Sequence, residues 1–593
     1  MRQPSAPNHR LRRRSSPSPV TELLGQMKGA ILVLLLIGLC INLLQLTGSL
    51  YMLQVYDRVL VSQSESTLLA LTVLALGMIA IYAVLEGCRT AALIATGRIM
   101  DTVVASRVFD VLFRATALNR GNFGVQPLRD LEQIRNFVAT HGLTTTLDIP
   151  WIPVFIGVLY LLHPAFAAFG MACVMLFAGI AATQALLATK RLRQASNTNV
   201  QAYAFAEASV RNAEVTEAMG MRSGVWRRWQ ERHLAMLDQQ EQASRVAGGF
   251  SATLKFLQLA LTGVLALGLG ALLVLEQQIT PGAMIVATMI LARAIAPTTQ
   301  VVGLWQQMTT ALASHRRLSD FLDTVPAEME RMPLPAPQGE LTVEGLVLGL
   351  PGREMILRGV SFALAAGESL AVIGPSAAGK STLARGLLGI WPPLSGSARL
   401  DGADISRIQR AQIGPHIGYL PQDVELFEGT VSENIARLGE VNPELVVRAA
   451  QEAGLHNLIL QLPEGYDTVL GPGGVGLSPG QRQRIGLARA LYGNPRLVIL
   501  DEPNSNLDTE GEAALSKALA VLREKRVTCV TITHRASVLA AVDRILVLRQ
   551  GHVEAFGRRE EILPRLTRPA AQPAAQPIVQ PAARSVTSLG SFG

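Results

Sequence analysis

Apolar residues follow two different rhythms along this chain. Through roughly the first half they form long, nearly unbroken runs at about 29–49, 67–87, 149–162, 164–187, 252–275 and 281–302. With short flanks, each approaches the ~20 residues that cross the ~30 Å hydrocarbon core of a bilayer as a helix, so the pattern predicts six spans. The third and fourth are separated only by His163-Pro164, and the fifth and sixth by Glu276 to Pro281. Both pairs read as hairpins with tight turns, because proline cannot continue a helix. From 338 to 565 the rhythm shortens, and runs such as Leu497–Leu500 and Val527–Ile532 alternate with helical patterns, as an α/β domain requires. A proline-rich segment, 326–337, links this domain to the six-span domain at 21–325. Residues 1–20, rich in Pro, Ser and Arg, and 566–593, with repeated Ala-Ala-Gln-Pro, cannot bury apolar area and are expected to be disordered.

Composition agrees with a membrane protein: 49% of the 593 residues are hydrophobic and only 17% are charged. The net charge of +8 raises the possibility of nucleic acid. The basic residues are spread along the chain without interleaved aromatics, so no nucleic-acid partner is expected. Their distribution instead predicts orientation, since Lys and Arg are retained on the cytoplasmic side. Arg98, Arg107, Arg114, Arg120, Arg129 and Arg135 lie between spans two and three, and Lys190, Arg191, Arg193, Arg227, Arg228 and Arg245 between four and five. The opposite connections carry essentially only Arg58. Both termini and both long, helix-rich loops are therefore expected in the cytoplasm, with the membrane helices running on into them. Arg10 and Arg12 to Arg14 precede the first apolar run as in a secretory signal, but that run is long and lacks a small-residue cleavage site, so it reads as a retained span. Glu86, Arg89 and Arg293 fall within or beside spans and are candidate functional charges, with snorkelling to the cytoplasmic interface an equal alternative for Arg89 and Arg293. Cys40, Cys88, Cys173 and Cys529 are far apart and form no disulfide or metal motif.

The chemistry is concentrated in the second half. Strand-like Ser369–Ile373 runs into Gly374-Pro375-Ser376-Ala377-Ala378-Gly379-Lys380-Ser381-Thr382 and then an apolar helix. Glycines at the ends of such a loop let backbone N–H groups turn inward around phosphate oxygens, and the helix N-terminus adds partial positive charge. Lys380 is placed for the β- and γ-phosphates and the Ser381 hydroxyl for Mg²⁺. Downstream, the apolar Leu497–Leu500 ends in Asp501-Glu502. Asp501 is expected beside the Mg²⁺, with Glu502 positioned to orient and deprotonate a water.

Between these lie Tyr419-Leu-Pro-Gln422 and Leu477-Ser478-Pro479-Gly480-Gln481, and after them Ser505-Asn-Leu-Asp508 and Thr533-His534. This order resembles that of the ATP-binding cassette (ABC) ATPases. The resemblance implies that Gln422 senses Mg²⁺ and the attacking water, that His534 contacts the γ-phosphate, and that Asp508 couples two sites across a dimer. It also implies that Ser478, Gly480 and Gln481 face the nucleotide held by a second subunit. Pro479 departs from the usual glycine, yet Ser478 to Gln481 still reads as a capping box with proline at the first helical position. The aromatic residue that usually stacks on adenine is missing from Leu346–Met355, so adenine contact is expected either to be weak or to use Arg353 instead.

Six spans ahead of one cassette is the plan of a half-transporter, which implies a homodimer. Leu50–Leu60, Asp148–Pro153, Glu217–Met221, Arg293–Pro297 and Asp501–Asp508 further resemble the type I secretion ATPases of the protease-secreting (PrtD) group. That resemblance implies ATP-driven export, from the inner membrane of a bacterium, of an unfolded polypeptide carrying a C-terminal secretion signal. It also implies a periplasmic membrane-fusion adaptor and an outer-membrane channel of the TolC type as partners, with lipid around the spans. An exporter of lipid or small amphipathic molecules shares the same core. Coupling helices are expected near Asp130–Phe137 and Asn212–Met221.

Overall fold

The computed structural model describes residues 28–118, 124–325, 334–349 and 354–567. The N-terminal arm, residues 326–333 of the linker, Arg120, Arg353 and residues 568–593 of the tail lie outside them. The chain divides into two compact units, Met1–Pro326 and Ala327–Gly593.

The first unit is helical and supplies six helices long and apolar enough to cross a membrane: Gly29–Ser62, Glu65–Ala117, Gly142–Leu162, Pro164–Leu187, Arg222–Leu275 and Pro281–Leu322. All six contain the apolar runs read from sequence. Several greatly exceed a bilayer: the 53 residues of Glu65–Ala117 extend about 80 Å at ~1.5 Å per residue. The tight turns are capped as their prolines suggest. His163 accepts from the Ala165 N–H at 3.1 Å ahead of the helix Pro164–Arg211, and Thr280 accepts from Ala283 N–H at 3.1 Å ahead of Pro281–Leu322. Asp57 ties the end of the first apolar helix to the start of the sixth by accepting from the Thr280 hydroxyl at 2.5 Å and the Gly282 N–H at 3.2 Å. A Cβ at 282 would lie 2.4 Å from the Asp57 carboxylate, which explains the glycine there.

Buried charges in this unit are paired. Arg89 donates to Asp148 and to Glu86, each at 2.9 Å, and Asn42 donates to Asp148 at 3.2 Å. Arg89 thus joins the second and third spans through side chains instead of snorkelling. In the helix Gln126–Ala139, buried Asp130 receives Arg317 at 2.6 and 3.1 Å. Leu131 and Ile134 pack with Met100, Val104 and Leu318. The apolar face of Asp130–Phe137, one of the two segments expected to couple, is therefore committed to packing within this unit. The other, Asn212–Met221, contains the short helix Ala213–Ala218 and exposes Val215 and Met219.

The second unit is built on two larger sheets. An antiparallel sheet orders β2 (Met355–Leu364), β1 (Leu341–Gly349), β4 (Ser395–Leu400) and β5 (Ala403–Asp404). A six-stranded sheet orders β12 (His552–Arg558), β11 (Arg544–Arg549), β3 (Ser369–Ile373), β10 (Thr528–Ile532), β9 (Leu497–Asp501) and β6 (Ile417–Leu420). All but β12 run parallel, and the central strands are buried on both faces, hence their near-continuous runs of small and apolar residues without alternation. A short antiparallel ladder pairs β7 (Gly429–Thr430) with β8 (Val469–Leu470). Cys529 is sealed in β10, and burial pushes its thiol up to about 11, so it has no thiolate chemistry at neutral pH.

Candidate functional site

Parallel register brings the candidate groups to one edge of the sheet. In the order β3, β10, β9, β6, Val372 lies opposite Ile532, Ile532 opposite Asp501, and Leu500 opposite Leu420. The chain therefore leaves neighbouring strand ends at Gly374, Thr533, Glu502 and Pro421. Ligands of open α/β sheets bind at this carboxyl edge.

The loop after β3 needs its glycines for space and for backbone conformation. A Cβ at 374 would lie 2.1 Å from the Leu548 carbonyl oxygen, and Gly379 caps the helix Lys380–Leu387 with φ +101°. Ala377 also takes a left-handed φ, +63°, a conformation an L-residue adopts only when its surroundings enforce it. Pro375, Ser376 and Ala377 are exposed along the loop, whereas Ala378, Lys380 and Thr382 are buried behind it. Lys380 Nζ donates to the carbonyls of Gly374 at 2.8 Å and Pro375 at 3.1 Å, which keeps the ammonium inside the loop.

Asp501 ends β9 in a buried position. Burial pushes its carboxyl above the usual carboxylate range and Glu502 pushes the same way, against a hydrogen bond from the Ser381 hydroxyl and the charges of Arg385 and Lys380. Its Oδ1 is buried with no hydrogen-bond partner among the described residues. A hydroxyl and a carboxylate oxygen left without a donor form a hard-oxygen pair suited to Mg²⁺, which is held by one or two carboxylates together with substrate phosphates. Among the described residues no group of three or more His, Cys, Asp or Glu could hold a metal by protein alone.

Glu502 turns out of the sheet with φ +49°, fixed by its N–H donating to the Ile532 carbonyl at 3.0 Å. Gln422 Nε2 then donates to its carboxylate at 3.1 Å, so the structure joins two residues eighty positions apart that sequence motifs had only suggested together. His534 is exposed just beyond β10. The Thr533 beside it is anchored by its N–H to Val372 at 3.2 Å and its hydroxyl to Asn504 at 3.3 Å.

The capping box forms: Ser478 Oγ accepts from the Gln481 N–H at 3.2 Å, and Gln481 Oε1 accepts from the Ser478 N–H at 2.8 Å, with Pro479 first in the helix Pro479–Leu491. A Cβ at 480 would lie 2.9 Å from the Asn506 carbonyl oxygen, so glycine is required by a neighbouring loop. Two residues of this helix escaped the sequence reading. Buried Gln483 donates to the Glu502 carbonyl at 3.2 Å and accepts from the Asn506 N–H at 3.1 Å. Buried Arg484 donates to Asp508 at 2.6 Å. Within Gln481-Arg-Gln-Arg484 they look like a solvated face, and only the packing shows otherwise. Asp508 also caps the helix Thr509–Glu524 by accepting from the Gly511 N–H at 2.8 Å, and this bond, aided by Arg484, holds its carboxyl below the usual range.

Residues 357–505 match the ABC transporter family, and residues 30–297 match the ABC transporter transmembrane region. The chain is similar to the type I secretion system ATP-binding protein PrsD of Rhizobium meliloti, 41% identical over 89% of this chain and 91% of the relative. It is also similar to the cyclolysin secretion/processing ATP-binding protein CyaB of Bordetella pertussis, 33% identical over 89% of this chain and 75% of the relative. In fold it matches the ATP-bound structure of a bacterial Atm1-family ABC exporter, with a TM-score of 0.78, 24% identity, and coverage of 92% of this chain and 97% of that one.

Proposed function

Because the chain belongs to the ABC transporters of type I secretion, an ABC exporter membrane domain fused to an ATPase that couples ATP hydrolysis to transport, we propose that it works as a homodimer with two shared ATP sites and exports an unfolded polypeptide. The observation that carries the shared site is the signature helix. Ser478 and Pro479 are exposed at its start, and the Gly480 N–H has no acceptor among the described residues. Such an end suits a phosphate presented by a second copy.

In each site the backbone N–H groups from Ser376 to Thr382, with Lys380, would hold the phosphates, and Ser381 and Asp501 would hold Mg²⁺. The metal, when bound, neutralises charge that builds on the phosphate oxygens. Gln422 and Glu502, already joined, orient the attacking water, and Glu502 Oε accepts its proton. His534 contacts the γ-phosphate. Ser478, Gly480 and Gln481 complete the site from the partner copy, and the tie from Arg484 to Asp508 links closure of one site to the other. The exposed helix Ala213–Ala218 is a candidate for passing closure to the spans.

The distribution of Arg and Lys supports an inner-membrane protein with its termini and ATPase domain in the cytoplasm. Family membership supports a periplasmic adaptor, an outer-membrane channel of the TolC type and a cargo with a C-terminal signal. The test is ATPase activity of the full chain in liposomes, stimulated by a peptide carrying the C-terminal signal of a candidate cargo or by lipids alone. Stimulation by peptide is expected; stimulation only by lipids or small amphiphiles would turn the reading to the other exporter class. Independently, Glu502→Gln with ATP should yield a dimer by light scattering, and a monomer under those conditions would remove the shared site.

A further inference from the structure

The sixth span, Pro281–Leu322, has one face buried in the bundle through Val286, Ile290 and Ala294, and another left exposed among the described residues, touched by Gln45 at Arg293 and by Thr145 at Gln300. Met289, Arg293, Gln300, Gly303 and Gln307 are exposed on that second face. Their spacing of four, seven, three and four residues keeps them in one narrow stripe at ~100° per residue. Apart from Met289 and Gly303 the stripe is polar. Span two, by contrast, exposes Leu69, Val73 and Leu76, as a lipid-facing surface should.

Two ties set the depth of Arg293. Asp57 meets Gly282 at the start of this helix, and Gln45 accepts from Arg293 at 3.3 Å, twelve residues back along the first span and eleven further along this one. Arg293 therefore sits about 18 Å from the outer end of the helix, near the middle of a ~30 Å hydrocarbon layer. There its cation has no carboxylate within ion-pair distance among the described residues, whereas Arg89 has two. An exposed unpaired charge at that depth is too costly to face lipid. A stripe of glutamine amides and a glycine can instead meet the N–H and C=O groups of an extended chain.

We infer that this stripe lines a water-filled path through the membrane domain and that Arg293 docks carboxylate groups of the polypeptide passing along it. The identity of that ligand rests on the polypeptide-export reading; the anion-attracting path does not.

The experiment uses the full chain in liposomes with Cys40→Ser and Cys88→Ser, since Cys173 and Cys529 are buried. A cysteine is placed by Met289→Cys, one turn from Arg293, or by Gln300→Cys, and labelled with an anionic sulfonatoethyl or a cationic trimethylammonioethyl methanethiosulfonate. Both reagents should react, the anionic one preferentially. Arg293→Gln should lower the anionic-to-cationic rate ratio about tenfold, with Arg293→Lys holding it within about twofold. Absence of labelling at both positions, or a ratio that Arg293→Gln leaves unmoved, overturns the proposal. As a second readout, Arg293→Gln should raise about tenfold the concentration of an Asp- and Glu-bearing cargo peptide giving half-maximal ATPase stimulation, without moving it for the Asn and Gln version. Equal shifts for both peptides would overturn the docking role. If labelling behaves as expected while no peptide stimulates, the polypeptide reading fails and the anion-attracting path stands.

Discussion

Arg484, buried in the signature helix, holds the exposed carboxylate of Asp508 at 2.6 Å. The same carboxylate caps the next helix, so one acid ties the start of Thr509–Glu524 to the body of Pro479–Leu491. Arg484→Ala should leave ATP binding within about threefold and lower hydrolysis by an order of magnitude or more, because it removes a charge-assisted bond that positions the loop between the two helices. Binding of a fluorescent ATP analogue and steady-state ATPase rates would separate these effects.

The Asp508 carboxyl is held low by the Gly511 N–H and by Arg484, so its contribution to stability is present above its unfolded value of about 3.9 and is lost as pH falls through its folded value. Asp508→Asn should therefore lower thermal stability at pH 7, where the carboxylate's contribution is fully present, and flatten the acid side of the profile, so that variant and wild type converge at low pH. A wild-type slope retained in the variant would contradict this.

Asp501 carries the opposite kind of strain, a buried carboxylate oxygen without a donor. Asp501→Asn should raise the nucleotide-free unfolding midpoint by about 2–4 °C, the equivalent of ~1 kcal/mol. It should also abolish the extra stabilisation that ATP gains from Mg²⁺. Scanning calorimetry with ATP, with and without EDTA, reads both effects.

Pro479 is compatible with the capping box because the first helical position needs no N–H bond. Pro479→Gly should cost about 0.5–1 kcal/mol by loosening the unfolded-to-folded restriction at that site, yet keep hydrolysis within about threefold. Gly480→Ala, one residue on, should cut hydrolysis far more, since its Cβ would press on the Asn506 carbonyl oxygen at 2.9 Å.

In the membrane domain, Arg89→Leu strands Asp148 and Glu86 and should destabilise by about 3–5 kcal/mol, read as unfolding in detergent. Adding Asp148→Leu should recover a large part of that loss. Additive losses would show that the pair is not coupled.

Periodicity and short-range chemistry were legible without a structure. The six apolar runs, the phosphate loop and the box from Ser478 to Gln481 each depend on residues a few positions apart, and local hydrogen bonding or helix geometry is enough to specify them. What a charge is paired with was not legible. Arg317 meets Asp130 across 187 positions, Arg89 meets Asp148 across 59, and Gln422 meets Glu502 across 80. Nothing local distinguishes Arg89, which is buried and doubly paired, from Arg293, which is exposed and bonded only to an amide, because both stand in similar apolar runs. The sequence by itself determined that this chain spans a membrane and carries an ATP-binding cassette, since both follow from repeating local patterns. Only the packing of distant helices and strands decided which polar groups lock the fold and which remain free to act.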